Sequence, residues 1–153
     1  MRYVLEAVLI GSAALGGWML AGPGPGAPAA SAIEPDASPA RAFGFCHSGG
    51  GVDCVVDGDT FWMDGTKIRV ADIDAPETHP SRCPEEARLG QAATRRLQAL
   101  LSAGPVTLET GDRATDRYGR ALRIVTRGGK SLGEQLVSEG LARRWTGRRQ
   151  PWC

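Results

Sequence analysis

The chain has 153 residues, with 18 Lys and Arg against 17 Asp and Glu, a formal net charge of +1. That length allows one domain and excludes a multidomain enzyme or most dinucleotide-binding architectures. With 21 Gly and 10 Pro the chain is rich in turns, which argues against a helix bundle, and 6% aromatics leave the core to aliphatic side chains.

In chain order, Arg2 precedes an apolar run from Ala7 to Ala21, followed by Gly22, Pro23, Gly24 and Pro25 and by an A-x-A site at Ala30-Ser31-Ala32. Residues 1–32 therefore read as a secretory signal peptide, with an uncleaved membrane anchor over residues 4–20 as the alternative. Either reading puts the domain outside the cytoplasm, secreted or periplasmic. A Pro-, Ala- and Ser-rich linker over 33–41 leads to a domain over 42–153. Residues 51–57 read as a strand, and Thr60–Met63 and Lys67–Val70 flank Asp64-Gly65-Thr66, a strong hairpin signal. Pro84, Glu85 and Glu86 open a helix whose apolar stripe is Leu89, Ala93, Leu97 and Leu100, and Gly104-Pro105 ends it. Val106–Thr110 and Ala121–Val125 are two more strands, separated by a polar segment over 111–120. Ser131-Leu132-Gly133-Glu134 is a capping box for a second helix, with Gly140 as its C-terminal stop. The fold class is thus mainly β with α: a small five-stranded OB-type barrel with two helices packed on it.

Cys46, Cys54, Cys83 and Cys153 contain no C-x-x-C, which argues against zinc and for two disulfides. Of the three possible pairings, Cys46–Cys54 closes a short Gly-rich loop, and Cys83–Cys153 then ties the C-terminus back. A domain of about 110 residues gains from such staples.

The net charge hides a division. Residues 33–78 hold nine acids and three bases, a net of −6, whereas residues 79–153 hold fourteen bases and seven acids, a net of +7. Arginine supplies 16 of the 18 bases, and its fork suits phosphate. The densest acidic cluster is Asp57-Gly58-Asp59-Thr60, followed by Asp72, Asp74 and Glu77. Turn capping accounts for Asp64 but not for the whole set. Two aspartates from different strands, a backbone carbonyl and waters make a hard-cation site of Ca2+ type, beside which Glu77 can act on a water. Asp116-Arg117-Tyr118-Gly119-Arg120 reads either as a polar turn with Gly119 at positive φ or as a phosphate clamp, with Arg120 opposite Arg69. His47 and His79 read as loop histidines outside any catalytic set.

Val56-Asp57-Gly58-Asp59-Thr60, the run from Ile68 to Thr78, and Asp116-Arg117-Tyr118-Gly119-Arg120 resemble, in order, the three motifs of the thermonuclease (staphylococcal nuclease-like) family. The resemblance implies an OB-type nuclease that cleaves DNA and RNA with Ca2+ and leaves 3′-phosphates. It implies that Asp59, Asp74 and the Ala75 carbonyl bind Ca2+, that Glu77 is the general base, and that Arg69 and Arg120 hold the scissile phosphate. Arg117 and Tyr118 resemble positions that contact a terminal phosphate. Ala75 departs from the family's hydroxyl residue while keeping the carbonyl. After Ala142 the family's tyrosines are replaced by Arg143-Arg144-Trp145 and an ending at Trp152-Cys153. Trp145 and Trp152 are candidate stacking residues, and more readily anchors packed beside a disulfide. A monomer is expected, with no obligate protein partner. The alternatives are a non-catalytic OB-fold module that binds nucleic acid or protein, and a disulfide-stabilised structural domain.

Overall fold

The computed structural model describes residues 41–47 and 50–153. The expected signal or anchor over 1–32, and the expected linker up to residue 40, lie outside the described residues. No helix among the described residues is long and apolar enough to cross a membrane.

The strands are β1 (Gly44–Phe45), β2 (Cys54–Asp57), β3 (Thr60–Met63), β4 (Thr66–Val70) and β5 (Ile73–Asp74), then β6 (Thr107–Thr115), β7 (Ala121–Arg127), β8 (Lys130–Ser131) and β9 (Arg143–Arg144). Helix α1 spans Pro84–Ser102 and α2 spans Leu132–Ser138. The main sheet runs β1-β2-β3-β4-β7-β6, with β8 on β7, while β5 and β9 form a separate antiparallel pair. The five expected strands are β2, β3, β4, β6 and β7, and both expected helices form. This is the OB-like arrangement, although among the described residues no pairing joins β1 to β6 to close the sheet.

Local chemistry explains most boundaries. The β3–β4 hairpin turns on Asp64 at φ 50° and Gly65 at φ 72°, the pair of positive values that a two-residue turn of matching twist requires. Pro84 starts α1 where its missing N–H costs nothing, and Glu85 and Glu86 sit in the first turn. Ala93, Leu97, Leu100 and Leu101 carry its buried face; Leu89, expected in that stripe, is only half-buried. At α2 the capping box forms by half. Ser131 Oγ accepts the Glu134 N–H at 3.0 Å, but the Glu134 carboxylate turns to Arg144 instead of back to the cap. Gly140 ends α2 at φ 72°, its N–H reaching Val137 O and that of Leu141 reaching Leu136 O, a Schellman closure.

One boundary differs from the sequence reading. β6 continues to Thr115, past the expected end at Thr110, with a shift of register between the two. Backbone pairing with β7 carries it, since its last four residues are exposed.

The core joins Phe61, Ile68, Val70 and Ile73 from the strands to Leu97, Leu101 and Leu136 from the helices. Each such side chain contributes about 1.5–3 kcal/mol on burial. Both expected disulfides form, with Cα separations of 5.1 Å for Cys46–Cys54 and 6.2 Å for Cys83–Cys153. The second joins the N-cap residue of α1 to the last residue of the chain.

Candidate active site

The β2–β3 connection is the first wall of the site. Asp57 Oδ1 accepts the Asp59 N–H at 3.1 Å, which closes the turn and turns the Asp59 side chain into the protein, where it is 3% exposed. Gly58 is required here by space, not by φ. A Cβ on it would lie 2.6 Å from Ala93 Cβ of α1 and 2.7 Å from Ala75 Cβ. The turn can therefore pack against both the helix and the loop after β5.

That loop is the second wall. β5 ends at Asp74, and Ala75, Pro76 and Glu77 lead toward α1. The Ala75 N–H donates to Asp59 Oδ2 at 3.1 Å, so the two walls are bonded directly. Gly90 of α1 allows the loop to approach, since a Cβ there would stand 2.8 Å from the carbonyl oxygens of both Pro76 and Glu77.

Arg69, on β4 opposite Thr60, closes the back. It is 8% exposed; Nη1 lies 2.5 Å from Asp59 Oδ2 and Nη2 lies 3.7 Å from Asp74 Oδ1. One guanidinium thus links the two aspartates that the sequence reading joined. Burial opposes the charge of Asp59, but the charge of Arg69 and its hydrogen bond overcome this and hold the carboxyl below the usual carboxylate range. Asp74 is shifted the other way: burial raises it, and Arg149 and Arg69 only partly compensate. Desolvation and the neighbouring Asp59 charge push Asp57 up to about 7.

The third motif forms the opposite lip. Asp116 Oδ1 accepts the N–H groups of Tyr118 and Arg120 at 2.8 and 3.0 Å, and its Oδ2 accepts Arg120 Nε at 2.7 Å. Gly119 is at φ 78°, as the polar-turn reading expected. Arg120 reaches across to Thr60, Nη1 to Oγ1 at 3.4 Å. Tyr118 is 68% exposed, with the guanidinium carbons of Arg117 and Arg120 at 4.8 and 5.5 Å from its ring.

These lips border a groove of about 950 Å3 lined by Arg69, Glu77, Arg117, Tyr118, Arg120 and Arg149, with Lys67, Arg113 and Trp145 further along. Asp59 and Asp74 lie behind Arg69 and Arg149. The acidic part of the chain thus supplies a buried carboxylate pair, and the basic part supplies much of the groove's lining. His79 is exposed, as expected of a loop histidine. The Arg69 guanidinium carbon lies 5.4 Å from the Trp145 ring. Trp152 carries the Arg143 guanidinium at 3.8 Å, next to Cys153, which fits an anchor.

Arg149 was not among the expected site residues. Its Nε donates to Asp74 Oδ1 at 2.9 Å, Nη2 lies 3.9 Å from Asp59 Oδ2, and Nη1 pairs with Glu77 Oε1. The signal that points to it is a combination: four arginines without an acid in the last fourteen residues, and a terminal cysteine that ties that stretch to the start of α1.

Among the described residues no three His, Cys, Asp or Glu side chains converge as a ready-made metal cage. The donors on hand are two carboxylates and a carbonyl. Their chemistry suits a hard cation. Asp74 Oδ2 is moreover a buried acceptor without a hydrogen-bond partner, which a cation would satisfy.

Comparison with known proteins bears on the family of the chain. The model of the staphylococcal nuclease homologue family matches residues 67–151, a span that includes Arg69 to Arg149 but starts after Asp59. Endonuclease YhcR of Bacillus subtilis is 39% identical over 102 residues, covering 60% of this chain and 8% of the relative. Endonuclease YncB of the same organism is 40% identical over 99 residues, 60% of this chain and 46% of the relative. The succinoglycan biosynthesis protein ExoI of Rhizobium meliloti is 34% identical over 93 residues, 58% of this chain and 48% of the relative. The aligned region thus spans less than half the length of each of these relatives.

Proposed function

The chain belongs to the staphylococcal nuclease homologue family, and from that premise we propose that it is an exported, Ca2+-dependent nuclease that hydrolyses phosphodiester bonds of DNA and RNA and leaves 3′-phosphates. The observation that carries this reading is the buried Asp59–Asp74 pair, clasped by Arg69, with Glu77 and Arg120 on the adjoining groove. The endonuclease names of two relatives support it.

Asp59, Asp74 and the Ala75 carbonyl would hold the cation. When bound, the cation supplies positive charge to a non-bridging phosphate oxygen. Glu77, one-third exposed on the groove, takes a proton from the attacking water. Arg120, its Nε fixed by Asp116, and Arg69 neutralise the charge that grows on the equatorial oxygens. The P–O5′ bond breaks, the 5′-oxygen takes a proton from solvent, and the phosphate stays on the 3′ side. Arg117 and Tyr118, exposed at the groove's outer lip, suit a neighbouring or terminal phosphate. Two disulfides support a location outside the cytoplasm, where such bonds persist. We take the monomer as the working form.

The test is digestion of plasmid DNA and of RNA by the oxidised protein in Ca2+ or in EDTA, with end-group analysis of the products. Cleavage in Ca2+ alone, giving 3′-phosphate ends, is expected. A folded sample that binds the polymer without cutting it would make the chain a non-catalytic binding module.

A further inference from the structure

Arg149 touches all three carboxylates to which the proposed function gives a role. It pairs with Asp74 and Glu77 and stands 3.9 Å from Asp59. Its side chain is 34% exposed, so it is neither a buried strut nor a free surface charge. A guanidinium does not lose its proton in a protein, so its charge is permanent.

The tail that carries it is held on both sides. Before it, Arg143 pairs with Asp74 in the β5–β9 ladder. Beyond it, Cys153 is bonded to Cys83, Arg143 Nη1 donates to Pro151 O at 3.0 Å, and the Arg143 guanidinium stacks on Trp152. The segment from 144 to 151 is therefore a closed loop whose inward-pointing charge is Arg149. An ordinary tail salt bridge would engage one carboxylate; this loop delivers one cation to three.

We propose that Arg149 is an active-site positioning residue: a tethered counter-cation that holds Asp74 and Glu77 and competes with the divalent cation for the aspartates. This rests on the metal-dependent reading above. Two cations of like sign, both seeking Asp74 and Asp59, disfavour one another, so binding of the metal requires the guanidinium to leave the carboxylates. The groove gives it a destination, since Arg149 already lines it together with Arg69 and Arg120. The disulfide keeps the displaced residue close, so metal affinity is set partly by the tether.

The experiment is calorimetric titration of the oxidised full chain with Ca2+, for the wild type and for Arg149→Gln, Arg149→Lys, Cys153→Ser and Arg148→Gln. Arg148 is an exposed neighbour and controls for net charge. Arg149→Gln is expected to bind Ca2+ about tenfold tighter or more, within the usual range of site-to-site coupling. It should also lower Tm in EDTA but not in saturating Ca2+. Arg149→Lys should restore much of the wild-type affinity. Arg148→Gln should stay within about twofold of wild type, as expected for a solvated charge. Cys153→Ser, which frees the tail, should shift affinity in the same direction as Arg149→Gln. Unchanged or weaker Ca2+ binding by Arg149→Gln, or equal tightening by Arg148→Gln, overturns the counter-cation role while leaving the nuclease reading intact. Absence of Ca2+ binding in every variant, the wild type included, overturns the metal reading and this proposal with it.

Discussion

Arg69 has two duties that pull against each other. As a phosphate ligand it must face the groove, yet at 8% exposure it neutralises Asp59 at 2.5 Å in the interior. Removing one partner of a buried pair leaves an uncompensated charge and costs about 3–5 kcal/mol. Arg69→Ala should therefore lower stability by about 3 kcal/mol in urea unfolding, and its activity loss mixes folding with chemistry. Arg69→Lys keeps the charge but gives up the fork that spans Asp59 and Asp74. It should stay folded and still lower kcat/KM by roughly two orders of magnitude, the loss typical of a displaced transition-state donor. Glu77 is the cleaner case, because it is one-third exposed and is no part of the core. Glu77→Gln should change unfolding free energy by about 0.5 kcal/mol or less and lower turnover by roughly two orders, as loss of a general base does. Wild-type turnover in that variant would remove Glu77 from the proton-transfer step.

Helix α1 shows why some features were legible in the sequence and others were not. The start of α1 at Pro84, the two-residue turn at Asp64-Gly65 and the stop of α2 at Gly140 are written in residues whose own backbone preferences decide the outcome. The disulfide pairing followed from loop closure, and the three motifs from their order. What escaped depends on contacts between distant segments. The end of β6 at Thr115 is set by β7, not by its own polar side chains. Arg149 reaches the site because the tail folds back onto the domain, held by the β5–β9 ladder and by the bond to Cys83. Gly90 belongs with these, since a glycine inside a helix reads as a defect in local terms. An Ala there ordinarily gains about 0.5–1 kcal/mol. Here its Cβ would stand 2.8 Å from two carbonyl oxygens of the loop that carries Glu77, and the cost of overpacking, about 1–3 kcal/mol, exceeds that gain. Gly90→Ala should therefore destabilise the protein in urea unfolding. It should also lower activity at temperatures where the variant is still fully folded, because the loop moves with Glu77. A gain in stability would show that α1 and the loop do not press on each other.

At the scale of the whole molecule, two bridges and a divided charge set the conditions under which the fold persists. The bridges close loops of very different length, with sequence separations of 8 and 70. The chain-entropy relation gives about 2.5 kcal/mol for the short one and about 4.4 kcal/mol for the long one. Cys153→Ser should thus cost clearly more stability than Cys46→Ser paired with Cys54→Ser, and a reversed order in urea unfolding would place the stabilisation in local strain relief. The carboxylates then give a pH profile with two opposed slopes. Burial opposes ionisation of Asp59 and Asp116, but Arg69 and Arg120 hold both below their ordinary range, and hydrogen bonds from Arg82 hold Glu86 low. Their stabilisation is complete above the pKa of the unfolded chain, near 4, and is lost as pH falls through their lower folded values. Asp57 runs the other way. Its folded value of about 7 means that from roughly pH 4 to 7 the unfolded chain has released a proton that the native state keeps, so stability declines over that window and levels off above it. Asp57→Asn separates the two slopes, because an amide oxygen still accepts the Asp59 N–H while the half-buried carboxylate's charge is gone. In EDTA the variant should match the wild type near pH 4 and be the more stable of the two at pH 8, with the difference opening between those values. Equal stability at pH 8 would mean that Asp57 is ionised in the native protein without cost, and that the acidic cluster tolerates a third charge beside Asp59 and Asp74.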